Sequence, residues 1–354
     1  MVREPMESTS ARDRARDRVL DSLASGEYGV EDVPQCLCGS VAGVAVAEED
    51  RSGLPFGITL CRDCGLLRTH PRMVGGSLPR FYERDYHELI WGDSYSPGGD
   101  LVGAEQGTKI YEKLKPHLPA QRRMRVLEVG CSNGGVLVQF ADGLRQDGCE
   151  VEMLGSEYCL ALAEEARRRH VRVLDGGISE IAATVRDLDV VILSHVLEHI
   201  VDIEEFLSHI HALLSEGGLL YIEVPGVLAQ HSAWRKVYGL SFRKYFTFAH
   251  VWHFTLSTLR DRLPCEQWDY LAGDEHVHSV FRRGPGNGSE PTGKGEESNR
   301  VLRYLKWLKR QRRLATIRRH HPSFPKRAVA LALNWLGLYA CLRRWLGGPS
   351  AREG

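Results

Sequence analysis

Arg125-Val-Leu-Glu-Val-Gly-Cys-Ser-Asn-Gly-Gly135 reads as a buried strand that ends in a glycine-rich turn. Val126, Leu127 and Val129 form a short apolar run, and Glu128 interrupts it with a carboxylate. Gly130, Gly134 and Gly135 then permit a tight turn and a close ligand approach that a side chain would block. A helix is expected from about Val136. A strand with an acid near its end, then a glycine turn and a helix start, is how nucleotide-type sites open in α/β folds.

Outward from this stretch, apolar strands alternate with helices. Strands are predicted at 125–129, 150–155, 171–174, 189–194 and 218–224, with 266–272 and 277–283 as a closing antiparallel pair. Helices are predicted near 108–118, 135–146, 158–170, 203–215 and 255–263. Continuous apolar runs such as Val190-Val-Ile-Leu193 indicate a mainly parallel sheet covered on both faces.

The whole chain has 354 residues, 43% of them hydrophobic, with a formal net charge of zero. That length supports one full core with smaller appendages, and the charge supplies no global field toward nucleic acid or membranes. Residues 1–33 are expected to be a polar tail without a secretory signal, in which Ala11–Leu20 alternates charges like a solvated helix. Nine cysteines, an odd count, argue for thiols and metal ligands rather than a disulfide framework, and for a cytoplasmic location.

Cys36-Leu-Cys38-Gly39 and Cys61-Arg-Asp-Cys64-Gly65 are close cysteine pairs, each followed by glycine and separated by a hairpin-sized insert. Two such knuckles supply what a tetrahedral structural zinc site needs, although the first is Cys-x-Cys rather than the commoner Cys-x2-Cys. Residues 34–90 are therefore expected to be a zinc-binding module with Cys36, Cys38, Cys61 and Cys64 as ligands. Within it, Tyr82, Tyr86 and His87 either cap a substrate cleft or pack the module onto the main domain at 91–283.

Residues 284–299 have the composition of a flexible linker. From Arg300 to Arg352 there is no Asp or Glu, while basic residues share a helical pattern with Leu302, Leu305, Trp307 and Leu308. A second apolar run follows at Ala328–Leu342. Residues 300–354 are expected to be a basic helical extension that lies on an anionic membrane surface at the inner face or packs as a helical pair, with RNA binding a third reading.

Gly130-x-Ser132-x-x-Gly135 alone does not separate dinucleotide from other nucleotide-type cofactors. The downstream motifs resemble class I S-adenosylmethionine-dependent methyltransferases. Val126–Gly134 is similar to their first motif, Gly155-Ser-Glu157 to the second-strand acid, Asp189–Ile200 to the fourth-strand motif, and Leu213–Pro225 to the turn before the fifth strand. The cysteine module, and Phe246-Thr-Phe-Ala-His250-Val-Trp-His253 behind the sheet, further resemble the subgroup that methylates sugars, nucleotide-linked sugars and related polyhydroxylated metabolites. The resemblance implies a Rossmann-like methyltransferase sheet, mostly parallel with an antiparallel last strand. It also implies S-adenosylmethionine as cofactor, and cofactor-binding roles for Glu128, Gly130, Ser132, Asn133, Gly134, Glu157, Gly177, Ile178, Ser194 and His195. Glu128 would accept from the ammonium, Glu157 from the ribose hydroxyls, and Ile178 would line the adenine.

Methyl transfer is an in-line displacement that needs an aligned acceptor and removal of its proton, a task that suits histidine. His250 is the first candidate for the base, His195 the second, and His253 lies beside them in the sequence. The ketosugar C-methyltransferases of the subgroup carry Tyr-x-Glu-His where this chain has Thr247-Phe-Ala249-His250. The loss of the tyrosine and glutamate favours O-methylation of a sugar hydroxyl over C-methylation of a nucleotide-linked ketosugar. A non-catalytic cofactor-binding scaffold and an RNA-directed methyltransferase are the readings from other classes.

Overall fold

A computed structural model describes residues 10–94, 103–229, 245–264, 266–286 and 295–320. The first helix, α1 (Ala11–Ala24), is capped by Ser10, whose side chain accepts from the Asp13 amide. Ala15 and Val19 are fully buried against Tyr28, Phe56, Phe81 and Leu89. The solvated helix expected at 1–33 is thus corrected: a narrow Ala/Val seam suffices to dock it, because aromatics from later in the chain supply the volume.

Five short strands follow: β1 (Val30–Glu31), β2 (Gly43–Ala47), β3 (Gly57–Cys61), β4 (Leu67–His70) and β5 (Arg72–Met73). β2, β3 and β4 form an antiparallel meander that carries the cysteine turns at one end. A helix in consecutive pieces comes next, α2 (Leu78–Phe81), a π-wound turn at Tyr82–Tyr86 and α3 (His87–Trp91).

The large unit runs α4 (Ala104–Leu114), β6 (Arg123–Val129), α5 (Gly135–Gln146), β7 (Glu150–Ser156), α6 (Leu160–Arg168), β8 (Arg172–Leu174), α7 (Ile178–Thr184), β9 (Leu188–Ser194), α8 (Ile203–Leu213) and β10 (Leu214–Glu223). After β10 come β11 (Trp252–His253), α9 (Leu256–Arg260), β12 (Trp268–Gly273) and β13 (His278–Arg283). The sheet order is β12-β13-β10-β9-β6-β7-β8, with β13 antiparallel to both of its neighbours and the β8-to-β10 side parallel. This is the predicted arrangement, with β6, the strand of the opening stretch, in the middle of the five parallel strands.

Side chains on the central strands alternate between two cores. Leu127, Leu154, Val191, Leu193 and Leu220 enter one, and Val126, Met153, Val190, Ile192 and Leu219 enter the other. Both faces are covered by helices, which explains why the strands read as unbroken apolar runs rather than as alternation.

The expected boundary between module and domain at residue 90 does not separate two bodies. β11 pairs antiparallel with β4, Trp252 opposite Arg68 and His253 opposite Leu67, so a segment that follows the large sheet completes the module's sheet. Cys36, Cys61 and Leu66 share one core cluster with Val251, Trp252 and Phe254.

The last described helix, α10 (Glu296–His320), buries Val301 against Val227, Leu228 and Tyr245, and Leu308 is buried about two turns further on. Its start lies on the second cysteine turn: the Gly295 amide donates to the Asp63 carbonyl at 2.6 Å. Gly65 has φ +82, and a Cβ there would meet the Ser298 backbone at 2.7 Å. This part of the basic extension is packed on the protein, while Ala328–Leu342 lies outside the described residues. Among the described residues no helix is long and apolar enough to cross a membrane.

Candidate active site

The carboxyl ends of β6, β7, β9 and β10 meet at one edge of the sheet. There Glu128 is 2% exposed, and its Oε2 has no hydrogen-bond partner. Burial pushes its carboxyl well above the usual carboxylate range. The turn after β6 takes left-handed φ at Gly130 (66°), Ser132 (51°) and Gly134 (82°). Ser132 holds this costly conformation while its amide donates to Glu157 Oε2 at 3.0 Å. The other Glu157 oxygen accepts from the Cys159 amide at 2.8 Å.

Other residues predicted for this edge take different positions. Asn133 is 1% exposed, and its Oδ1 accepts from the Gly135 amide at 3.2 Å, so it closes the start of α5. Gly134 is required by packing, since a Cβ there would meet Val171 at 3.2 Å and Ala166 at 3.4 Å. Gly177 caps α7, its amide donating to Glu180 Oε2 at 2.6 Å, and Ile178 packs against the core as the first residue of that helix. Ser194 ends β9 opposite Glu223.

His195 follows β9 with φ +57, a strained value for a non-glycine residue, and its side chain is 48% exposed. Its Nδ1 lies 3.4 Å from Glu198 Oε1 and its Nε2 3.5 Å from Glu223 Oε1. Burial lowers its pKa, but the two carboxylates outweigh burial and push it up to about 10. Glu223 also accepts from the Tyr221 hydroxyl at 3.1 Å and from Gln106, and His278 Nε2 lies 3.3 Å away. Burial works against the Glu223 charge, yet His195 and His278 hold its carboxyl well below the usual range.

His199 and His250 pack edge to face, with ring centroids 4.7 Å apart. His199 Nδ1 lies 2.9 Å from the Ala249 carbonyl and 2.8 Å from the Tyr82 hydroxyl. Burial holds His250 well below its ordinary pKa, with the neighbouring histidines adding to the effect. The main chain around it is stitched to both units: Thr69 Oγ1 donates to the His250 carbonyl at 2.6 Å, and the Val251 amide donates to the Glu198 carbonyl at 2.8 Å.

His253 is 2% exposed in β11, its ring centroid 5.9 Å from that of His250 and packed against Phe246, with Nε2 3.4 Å from Thr69 Oγ1; burial pushes its pKa down to about 3.

At the other end of the module, the Cys36 and Cys64 sulfurs are 3.6 Å apart, as are those of Cys38 and Cys61. All four lie within 4.8 Å of one another.

The sequence reading passed over Glu223, His278 and the contact of Tyr82 with His199. Glu223 carried the same signal as Glu128, a carboxylate at the end of an apolar strand. The tyrosine contact, across 117 residues, carried none.

Residues 104–272 match a family model described as a methyltransferase domain. That stretch, 169 of the 354 residues, is thus similar to a methyltransferase domain. A curated relative, a probable S-adenosylmethionine-dependent methyltransferase of Mycolicibacterium smegmatis, is 30% identical over 118 residues, 33% of this chain and 42% of the relative. The chain therefore spans less than half the length of the curated relative that it matches. Similar solved structures include the magnesium protoporphyrin IX methyltransferase of Synechocystis with bound S-adenosylhomocysteine, at 16% identity and TM-score 0.40, covering 60% of this chain and 100% of that one. A putative methyltransferase from Listeria monocytogenes is also similar at 16% identity and TM-score 0.38, covering 51% of this chain and 98% of that one. Within the matched stretch, Glu128, Glu157 and His195 stand on the edge where ligands of open α/β sheets bind.

Proposed function

We propose that the protein transfers the methyl group of S-adenosylmethionine to a hydroxyl of a sugar or related polyhydroxylated small molecule. The observation that carries this reading is the conjunction of a cofactor-type edge with histidines and carboxylates beside it. Glu128 fits the cofactor ammonium: its buried Oε2 has no partner in the protein, and a cation is what a desolvated carboxylate requires. Glu157 presents its carboxylate at the second strand end for the ribose hydroxyls, with Gly130 and Ser132 lining the turn. When bound, the cofactor supplies an electrophilic methyl carbon on a sulfonium.

The residues of the chain would then align the acceptor and take its proton. Of the candidates, His195 is held protonated by two carboxylates and is suited to donating a hydrogen bond, whereas His250 is kept neutral by burial and is suited to accepting. Oxygen is favoured over carbon because Thr247 and Ala249 stand where a carbon-bound proton would need further acid and base groups.

The cysteine cluster is read as a structural zinc site. Sulfurs held about 2.3 Å from a tetrahedral ion lie roughly 3.8 Å apart, a spacing that the thiols nearly have. With sulfur at all four positions, such an ion takes no part in the chemistry.

The test is incubation of the purified chain with methyl-labelled S-adenosylmethionine and a panel of nucleotide sugars, with the product assigned by NMR. An oxygen-bound methyl whose formation falls about 10²–10⁴-fold in His250→Asn supports the reading. A carbon-bound methyl overturns it, as does the absence of transfer when the cofactor is bound.

A further inference from the structure

Glu198 is 1% exposed, and neither carboxylate oxygen has a hydrogen-bond partner. Three imidazoles surround its Oε1: His195 Nδ1 at 3.4 Å, His250 Nε2 at 3.9 Å and His199 Nε2 at 4.0 Å. The last two are beyond hydrogen-bond reach, so no proton bridges them to the carboxylate. The His199 tautomer makes the point sharper. Its Nδ1 lies 2.9 Å from the Ala249 carbonyl, which can only accept, so Nδ1 carries the hydrogen. The neutral ring then turns the lone pair of Nε2 toward the carboxylate oxygen. Two lone-pair bearers facing each other across 4.0 Å in a buried place repel unless something positive lies between them.

We propose that Glu198, His199 and His250 bind a divalent transition-metal ion, with His195 outside the ligand set. Ligand atoms held about 2.0–2.2 Å from such an ion lie roughly 3–4 Å apart, and the three ligand atoms here are within 4.8 Å of one another. A backbone carbonyl on the far ring nitrogen, as at His199, is the usual outer support of a metal-bound imidazole. Two imidazoles and a carboxylate suit zinc, manganese, iron, cobalt or nickel better than magnesium or calcium. The cluster is distinct from the cysteine site, whose four ligands are all sulfur.

The inference deepens the function proposed above and rests on it only for the use of the ion. An acceptor hydroxyl drawn to the ion loses its proton to solvent more readily. Its oxygen pair then forms the new bond to the methyl carbon, and the carbon–sulfur pair stays on sulfur. His250 acts in that case as a ligand rather than as a free base.

The experiment uses the full chain dialysed against EDTA under conditions that retain zinc at the cysteines, titrated with Mn²⁺ while the free-ion signal is followed by electron paramagnetic resonance. About one bound Mn²⁺ per chain is expected, with affinity weakened at least tenfold in Glu198→Gln and in His250→Asn. Far-UV circular dichroism and zinc content report whether each variant is folded. Should both variants fail to fold, the wild type loaded with Co²⁺ decides. Weak visible bands without thiolate charge transfer, beyond those of the cysteine site, support the proposal, and thiolate-type bands alone overturn it. Unchanged Mn²⁺ binding in both folded variants, or no binding to the wild type, also overturns it. Methyl transfer that persists in EDTA with no Mn²⁺ bound removes the metal site and leaves the function standing. Mn²⁺ binding without any methyl transfer does the reverse.

Discussion

His253 and Glu128 are both buried, and the consequences run in opposite directions with pH. The folded pKa of His253 is depressed to about 3, below that of the unfolded chain. Its contribution to stability is therefore present above the ordinary histidine value of about 6.5 and is lost as pH falls toward 3, at up to about 1.4 kcal/mol per pH unit. His253→Gln is expected to flatten this acid limb of a denaturation profile measured between pH 7 and 4. The folded pKa of Glu128 is raised, so its contribution is present at acid pH and lost as pH rises through that value. Glu128→Gln should weaken S-adenosylhomocysteine binding by about ten- to a hundredfold in calorimetry, since a charge-assisted contact is removed. The same substitution should leave the melting temperature of the free protein near pH 8 unchanged or higher, because it removes a buried carboxyl whose Oε2 has no partner. Glu128 was legible in the sequence as a carboxylate inside an apolar run. Glu198 was visible only as a letter between two histidines, since nothing local announces that both of its oxygens are left without partners.

At the level of elements, periodicity found those long enough to show it. α5 lies where its glycines and apolar spacing placed it, and the parallel strands agree to within a few residues. α7 has seven residues, too few for a helical period to emerge, and no helix is predicted there from sequence. β11 has two residues, and its existence depends on a partner strand about 180 residues earlier. α10 was legible as a helix but not as a docked one, because its basic residues dominate the pattern while Val301 and Leu308 alone are buried among its described apolar side chains. Leu308→Ala should cost about 2 kcal/mol, measured by chemical denaturation, and should speed proteolysis within α10 itself. With zinc proposed at the cysteines, Cys61→Ser or a strong chelator is expected to remove it, lower the melting temperature and raise the KM for the acceptor more than that for the cofactor. That asymmetry follows from Thr69 of the module, which holds the carbonyl of the proposed base His250, while Glu128 and Glu157 stand at the ends of β6 and β7.

For the molecule as a whole, α1, the module and the large sheet share cores rather than meeting at a thin boundary. A single calorimetric unfolding transition is expected for residues 10–286, and two resolved transitions would contradict this packing. The class of fold could be read from sequence because it rests on local alternation and on a glycine turn. The joining of module to domain could not, because it rests on pairings between distant segments. The insertion of β11 beside β4 also bears on how such a protein can be recombined. A chimaera that exchanges only residues 34–90 with a relative would separate Arg68 and Thr69 from the segment they hold. A graft of the module must therefore carry the stretch around His250 as well.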